Sequence, residues 1–154
     1  MAAVIEIEPA PMEAAGHMAS LHDICFATLP ETPWSAHAFR AIMRAPTNRT
    51  LMARGSGGKM VGLLVGGVGG GEAEILSICV SPAVRRAGIA RALLVAFLSD
   101  LPPGTRSLLE VAVDNLAAIS LYESCDFSEV GRRPNYYAGG KTKVDAIIYA
   151  RIEQ

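Results

Sequence analysis

Three stretches of the chain combine residue types that chemistry uses. The first is RRAGIA, Arg85 to Ala90, set between an apolar run ending at Val80 and a long apolar run that follows. A helix entrance carries unpaired backbone N–H groups and a partial positive charge. A pyrophosphate sits well there, bonded by successive amides. Gly88 lacks the Cβ that would hold backbone away from a ligand. Ala87 and Ala90 are small, and Arg85, Arg86 and Arg91 add charge. The alternative is an exposed helix start with solvated arginines, which oppose the helix dipole at a small cost.

The second stretch is SLLEVAV, which sets one carboxylate, Glu110, among Leu, Val and Ala. Such an acid either faces solvent from one side of a sheet or is held for proton transfer. An apolar setting raises a carboxyl pKa, which suits a general base. The third stretch follows it, with Asn115 at a helix entrance and Tyr122 on that helix. Taken singly, these are a capping-region amide and a packing phenol.

The elements that must position these residues follow from periodicity. Alternation over Val4, Ile5 and Ile7 predicts a strand ended by Pro9 and Pro11. Helical spacing of Met18, Leu21, Ile24 and Cys25 predicts a helix from Met12 to Thr28. Ser35 is the expected N-cap of a second helix, with Trp34 before it as a hydrophobic staple. Thr50–Arg54 and Met60–Gly66 read as strands around GSGG, and Val68–Glu72 as a glycine-rich turn. A strand over Glu74–Val80 leads to a helix from Arg86 to Leu101, stopped by Pro102-Pro103-Gly104. Ser107–Val113 is a buried strand, and Asp114 is the expected N-cap of a helix running through Glu123. Phe127–Arg132 and Val144–Ile152 are the final strands, with RPNYYAGGKTK as the loop between them. The order β–α–α–β–β–β–α–β–α–β–β predicts one α/β (α+β) domain over residues 1–154, with a mixed, mostly antiparallel central sheet flanked by helices.

Composition narrows the classes. The chain has 154 residues, 51% of them apolar, and a net charge of −1 from 14 basic and 15 acidic residues. That balance gives no electrostatic case for broad nucleic-acid or membrane binding. The N-terminus lacks the pattern of a signal peptide, and no apolar run is long enough to span a bilayer. Cys25, Cys79 and Cys125 are isolated in sequence and read as buried small hydrophobes in a reduced, cytoplasmic protein. The histidines form no ligand set, so no metal is expected. Two apparent phosphate loops fail. Met60 stands where GSGGKM would need Ser or Thr, and Asn135 stands where the loop ending GGKT would need its first glycine.

Together, RRAGIA, the strand ahead of it and the Glu110–Asn115–Tyr122 set resemble the GNAT family of N-acetyltransferases. Arg85 to Ala90 fits the family's acetyl-CoA signature, Q/R-x-x-G-x-G/A. PWS (33–35), ILSICVSPAVRRAGIARALL (75–94), LEVAVDNLAAISLYES (109–124), RRPNYY (132–137) and DAII (145–148) are similar to the bacterial type that acetylates the N-terminal alanine of a small-subunit ribosomal protein. The resemblance implies acetyl-CoA as cosubstrate and a protein or peptide N-terminus as acceptor. It implies that the backbone of Ile78, Cys79 and Val80 holds the pantetheine arm, and that Arg85, Arg86, Ala87, Gly88, Ile89, Ala90 and Arg91 hold the pyrophosphate. It gives Asn115 to the cofactor's arm, Glu110 the part of general base and Tyr122 that of general acid.

The chain departs from that type at two points. Ala112-Val113-Asp114-Asn115 replaces Arg-Ala-Ser-Asn, removing a charge beside the active strand. Cys125-Asp126 replaces Leu-Gly at a helix end that favours positive φ, which Asp tolerates. Trp34, Tyr136 and Tyr137 are expected to flank the acceptor, although packing over the sheet explains the tyrosines equally well. Glu31, Asp114 and Asp145 are acids that a cationic N-terminus would seek, but the sequence does not place them in the groove.

Overall fold

The alternating apolar positions of EAEILSICV and the continuous run of MVGLLVGGVG build the centre of a sheet. The computed structural model describes residues 4–29, 31–137 and 144–154. Its elements run in chain order as β1 (Glu6–Pro9), α1 (Ala15–Phe26), α2 (Ala36–Arg44), β2 (Asn48–Arg54), β3 (Met60–Gly69), β4 (Glu72–Val80), α3 (Ile89–Ser99), β5 (Arg106–Ala112), α4 (Leu116–Ser124), β6 (Ser128–Tyr137) and β7 (Val144–Ile152). The strands form one seven-stranded sheet in the order β1-β2-β3-β4-β5-β7-β6. Among the described residues only β4 and β5 run parallel. This is the expected α/β architecture with a mostly antiparallel sheet.

Several boundaries differ from the sequence reading, each for a local reason. The first strand runs through Pro9, which pairs with Leu51. Pro is tolerated on an edge strand, where its missing N–H costs no ladder bond. A short 3-10 turn over Met12–Ala14 precedes α1, which ends at Phe26. The β3–β4 hairpin narrows to Gly70-Gly71, both at positive φ as a tight turn needs. RPNYY is strand rather than loop: β6 runs to Tyr137, with irregular register between Arg133 and Tyr137. Residues 138–143, which complete that expected loop and include Gly140-Lys141-Thr142, lie outside the described residues.

Two caps behave differently. Ser35 Oγ accepts from the Ala38 N–H at 3.1 Å, as the sequence predicts. The staple also forms, with the Trp34 and Phe39 rings 5.4 Å apart. At α4, however, the cap is Asn115 rather than Asp114. Asn115 Oδ1 accepts from the Ala118 N–H at 3.3 Å, and Asp114 is exposed. At the other end of α4, Asp126 takes φ 67, the left-handed conformation expected of it.

Two apolar clusters sandwich the sheet. One, under α3 and α4, joins Leu64, Ala73, Ile75, Val80, Leu93, Phe97, Leu109, Val111, Tyr122 and Tyr149. The other, under α1 and α2, joins Met18, Cys25, Phe39, Met52, Leu63, Val65 and Cys79. Helix α3 lies close on β3 because Gly66 leaves room for Phe97, where an added Cβ would sit 2.5 Å from that ring. Gly66→Ala should therefore cost about 1–3 kcal/mol through overpacking, read as a lower urea midpoint. Gly69→Ala, with nothing within 4 Å, should shift the midpoint far less.

Candidate active site

Strand β4 carries a bulge. Val65 pairs with Ser77, but Gly66 pairs with Ile75, so Leu76 is the extra residue. A bulge shifts alternation by one and bends its strand. Before it, Ala73 and Ile75 face the α3 side. After it, Val80 faces that side while Ser77 and Cys79 turn toward α1. The parallel pairing of β4 with β5 covers only Glu72↔Arg106, Ala73↔Ser107 and Glu74↔Leu108. Beyond Glu74 the two strands part, and among the described residues the β4 edge from Ile75 to Val80 has no strand partner on the β5 side. Ile78, Cys79 and Val80 lie along this wedge.

The segment after β4 differs from a plain helix entrance. Helix α3 starts at Ile89, not at Arg86, because Gly88 sits at φ 78, ψ 13 and caps it. Arg85 is extended, Arg86 is left-handed at φ 67, and Ala87 between the two left-handed residues has the ordinary sign of φ. Alternation of this kind turns successive N–H groups to one side, a concavity that suits an anion. The first helical N–H groups, from Ile89 to Arg91, have no partner within the helix, and Gly88 brings no side chain to cap them. Gly88 serves by its conformation, since a Cβ there would meet nothing within 4 Å.

The arginines divide. Arg85 Nε donates to the Val80 carbonyl at 3.3 Å, and Arg91 Nη1 to Ser124 Oγ at 2.8 Å. Arg86 is exposed and bonds to none of the described residues. Arg85 and Arg86 precede the helix, so only Arg91 stands in its first turn, where a cation opposes the dipole.

Glu110 and Tyr122 lie on opposite faces of the sheet. Leu109 and Val111 join Tyr122 in the α3/α4 cluster, so Glu110 faces the α1/α2 side. One oxygen, Oε1, meets Arg133 Nη1 at 3.3 Å. The other, Oε2, is buried and has no hydrogen-bond partner among the described residues. Tyr122 is 5% exposed and packs edge-on against Phe127. Its hydroxyl bonds to none of the described residues. Burial pushes its pKa well above the usual phenol range, and the charge of Glu31 adds to the rise. Glu31 is itself half-buried, and burial raises its carboxyl pKa.

The other expected residues have surroundings of their own. Asn115 spends its carbonyl on the α4 cap, which leaves its amide N–H groups as donors. Trp34 is half-buried beside His22 and Phe39. Tyr136 is 48% exposed, with the Arg133 guanidinium 5.0 Å from its ring centre. Tyr137 pairs with Val144 at the end of β6, and its side chain lies outside the described residues. Asp145 is engaged, accepting from the Asn135 N–H at 2.8 Å. The cysteines are free and buried, and both Cys25 and Cys79 belong to the α1/α2 cluster, where Cys25 Sγ donates to the Val80 carbonyl at 3.3 Å. Among the described residues no group of three or more His, Cys, Asp or Glu is placed to hold a metal, and no helix is long and apolar enough to cross a membrane.

Arg133 and His22 carry no individual assignment in the sequence, and Glu31 stands there only as an acid for a cationic N-terminus. Arg133 reaches Glu110 because β7 lies between β5 and β6: Glu110 pairs with Ile148, and Arg133 with Ala146 on the same face. No local pattern shows that register. Glu31 acts through space on Tyr122. His22 is 2% exposed and links α1, β4 and the chain before α2.

A wedge between two parting parallel strands, with a turn of alternating handedness at its head, is thus the frame of the candidate site. The pattern of the acetyltransferase (GNAT) family matches residues 16–127, and the chain belongs to that family. It is 42% identical over 95 residues to the ribosomal protein bS18-alanine N-acetyltransferase of Escherichia coli, covering 60% of this chain and 64% of that protein. The match thus spans less than two thirds of that relative's length. It is 40% identical over 111 residues to the N-alpha-acetyltransferase RimI of Mycobacterium tuberculosis, covering 70% of this chain and 69% of that one. The crystal structure of the Escherichia coli S18-alanine enzyme superposes with a TM-score of 0.87 at 30% identity, over 98% of this chain and 96% of that one.

Burial lowers the His22 pKa to about 4, with the charge of Asp23 opposing the shift. The unfolded chain then takes up its proton first as the pH falls. The stabilising neutral form is complete above pH ~6.5 and is lost as the pH drops toward about 4. Wild-type unfolding free energy should fall across that window by roughly 3 kcal/mol more than that of His22→Asn. Equal slopes for the two proteins in urea titrations would contradict this.

Proposed function

We propose that the protein is an acetyl-CoA-dependent N-terminal protein acetyltransferase, one cytoplasmic domain over residues 1–154, working without a metal. It transfers acetyl directly to the α-amine of an N-terminal alanine, with a small-subunit ribosomal protein as the expected partner. One observation carries the reading: on β5, the strand that parts from β4, the buried Oε2 of Glu110 has no hydrogen-bond partner among the described residues, and it supports a proton acceptor at the wedge, with the buried, protonated Tyr122 as its counterpart. The names of the curated relatives support the alanine acceptor.

The residues present fit acetyl-CoA. The unpaired β4 edge offers the backbone groups of Ile78 and Val80, either side of Cys79, whose own N–H and C=O face β3, to a pantetheine arm lying as an added strand. The turn from Arg85 through Arg91 offers N–H groups and the free Arg86 guanidinium to a pyrophosphate. Asn115 offers amide N–H to the arm. Bound, the cosubstrate supplies an acetyl thioester. Glu110 Oε2 takes the proton of the incoming amine, directly or through a water, while Arg133 holds Oε1. An α-amine of pKa ~8 gives up that proton for roughly 3 kcal/mol less than a lysine of pKa ~10.4, which favours an N-terminus. The Val80 N–H is the donor for charge developing on the thioester oxygen. Tyr122 holds a proton for the departing thiolate, and burial keeps it protonated at neutral pH. Trp34 and Tyr136 flank the acceptor in this reading, and Tyr137, expected beside them, has its side chain outside the described residues.

The test is a panel of peptides incubated with acetyl-CoA: one beginning with Ala, one with Ser, and one blocked at its N-terminus with an internal Lys. Mass gain and thiol release with the unblocked Ala peptide support the reading. Reaction of the blocked peptide would move the acceptor to a lysine or another amine. Binding without thiol release would make the chain an inert acyl-CoA-binding module. Tyr122→Phe should keep acetyl-CoA affinity and lose about 10²- to 10⁴-fold in kcat. Glu110→Gln should lose the acidic limb of the pH–rate profile; a surviving limb removes Glu110 as the base.

A further inference from the structure

The buried His22 is used by none of these steps, yet it holds three elements. The Trp34 N–H donates to its Nδ1 at 2.9 Å, so Nδ1 carries no proton. The proton is then on Nε2, which donates to Ser77 Oγ at 2.9 Å. The ring stacks on the Trp34 indole, centroids 5.1 Å apart and 23° between planes, and stands edge-on to Phe39 at 5.4 Å. Phe26 lies against it at 4.2 Å. One helical turn on, Cys25 Sγ donates to the Val80 carbonyl at 3.3 Å, so α1 is tied to β4 at two levels. Ser77 faces α1 only because of the bulge at Leu76. The imidazole thus joins the unpaired β4 edge to the chain between α1 and α2, which bears both Glu31 and Trp34.

We propose that His22 is a positioning residue, a neutral two-way hydrogen-bond clamp that fixes the Glu31–Trp34 segment against β4 so that the acceptor amine arrives in register with the acetyl end of the wedge. The proposal rests on the acetyltransferase reading of the site. It makes His22 a determinant of acceptor use and leaves acetyl-CoA binding to β4 and the turn at Gly88. The two bonds separate by substitution. In His22→Asn, Oδ1 stands where Nδ1 was and accepts from the Trp34 N–H. In His22→Gln, the amide reaches toward Ser77, and the Trp34 N–H loses its partner.

The experiment is steady-state kinetics on wild type, His22→Asn, His22→Gln and Ser77→Ala with the Ala-beginning peptide. It is paired with emission spectra of Trp34, the sole tryptophan, in the free proteins. His22→Gln should raise the peptide KM about five- to tenfold, the size set by one lost buried hydrogen bond. Its acetyl-CoA KM should stay near the wild-type value, and its Trp34 emission should move to the red. His22→Asn should recover most of the peptide KM and the wild-type emission. Ser77→Ala guards against a His22 variant that fails to fold and should raise the peptide KM selectively. Equal changes in both substrates' KM, no change in either, or failure of Asn to outperform Gln would overturn the proposal. Emission reads the hold on Trp34 without turnover. A wild type inert toward every amine, with the red shift still present in His22→Gln, would sink the acetyltransferase reading and not the clamp.

Discussion

The parallel pairing of β4 with β5 stops after Glu74 and Leu108, and the rest of the site depends on that stop. A sheet that continued would satisfy the β4 edge with β5 backbone and leave no room for a ligand. The bulge at Leu76 accounts for the parting physically, because an extra residue bends the strand that carries it. It also reverses which face each later residue takes. Ile75 and Val80 thereby share the α3 face, while Ser77 and Cys79 turn to α1. One inserted residue thus opens the wedge and couples it to the helix that carries His22.

The two ends of the wedge use different physics. At the head, the turn from Arg85 to Gly88 collects backbone donors by alternating handedness, with a left-handed Arg86 that costs on the order of 1–2 kcal/mol. Strain held at a site marks a conformation that surrounding contacts enforce. The bond from Arg85 to the Val80 carbonyl is one such contact, tying the turn to the strand before it. Along the wedge, burial governs the chemistry. It keeps Tyr122 protonated and leaves one Glu110 oxygen without a partner. Arg133, brought across β7 by register, supplies the counter-charge to the other oxygen.

Much of this was legible in the sequence because local rules govern it. Strand and helix order followed from hydrophobic periodicity, the Ser35 cap and Trp34 staple from capping chemistry, and the positive φ of Asp126 from its place after a helix. The turn at Gly88 stands out in the sequence as a candidate anion site, but its geometry differs from the sequence reading. A glycine at φ 78 cannot lie inside a helix, so the helix starts after it. The cap of α4 fell to Asn115 and not to its acidic neighbour, because either type caps well and only the backbone decides. Non-local features stayed hidden. No pattern in EILSICV announces a bulge at Leu76. Nor does RRPNYY show that Arg133 reaches Glu110 over an intervening strand, or LHDICF that His22 meets Ser77.

The most direct measurement of the central claim is amide hydrogen exchange, residue by residue, with and without acetyl-CoA. The account predicts fast exchange in the free protein for the Ile78 and Val80 N–H groups of the unpaired β4 edge and for those of the turn from Arg86 to Arg91. Both groups should become protected together when acetyl-CoA is added, while β2 and β3 stay unchanged. Protection confined to another surface, or none at saturating acetyl-CoA, would contradict the assignment of the wedge as the cosubstrate site.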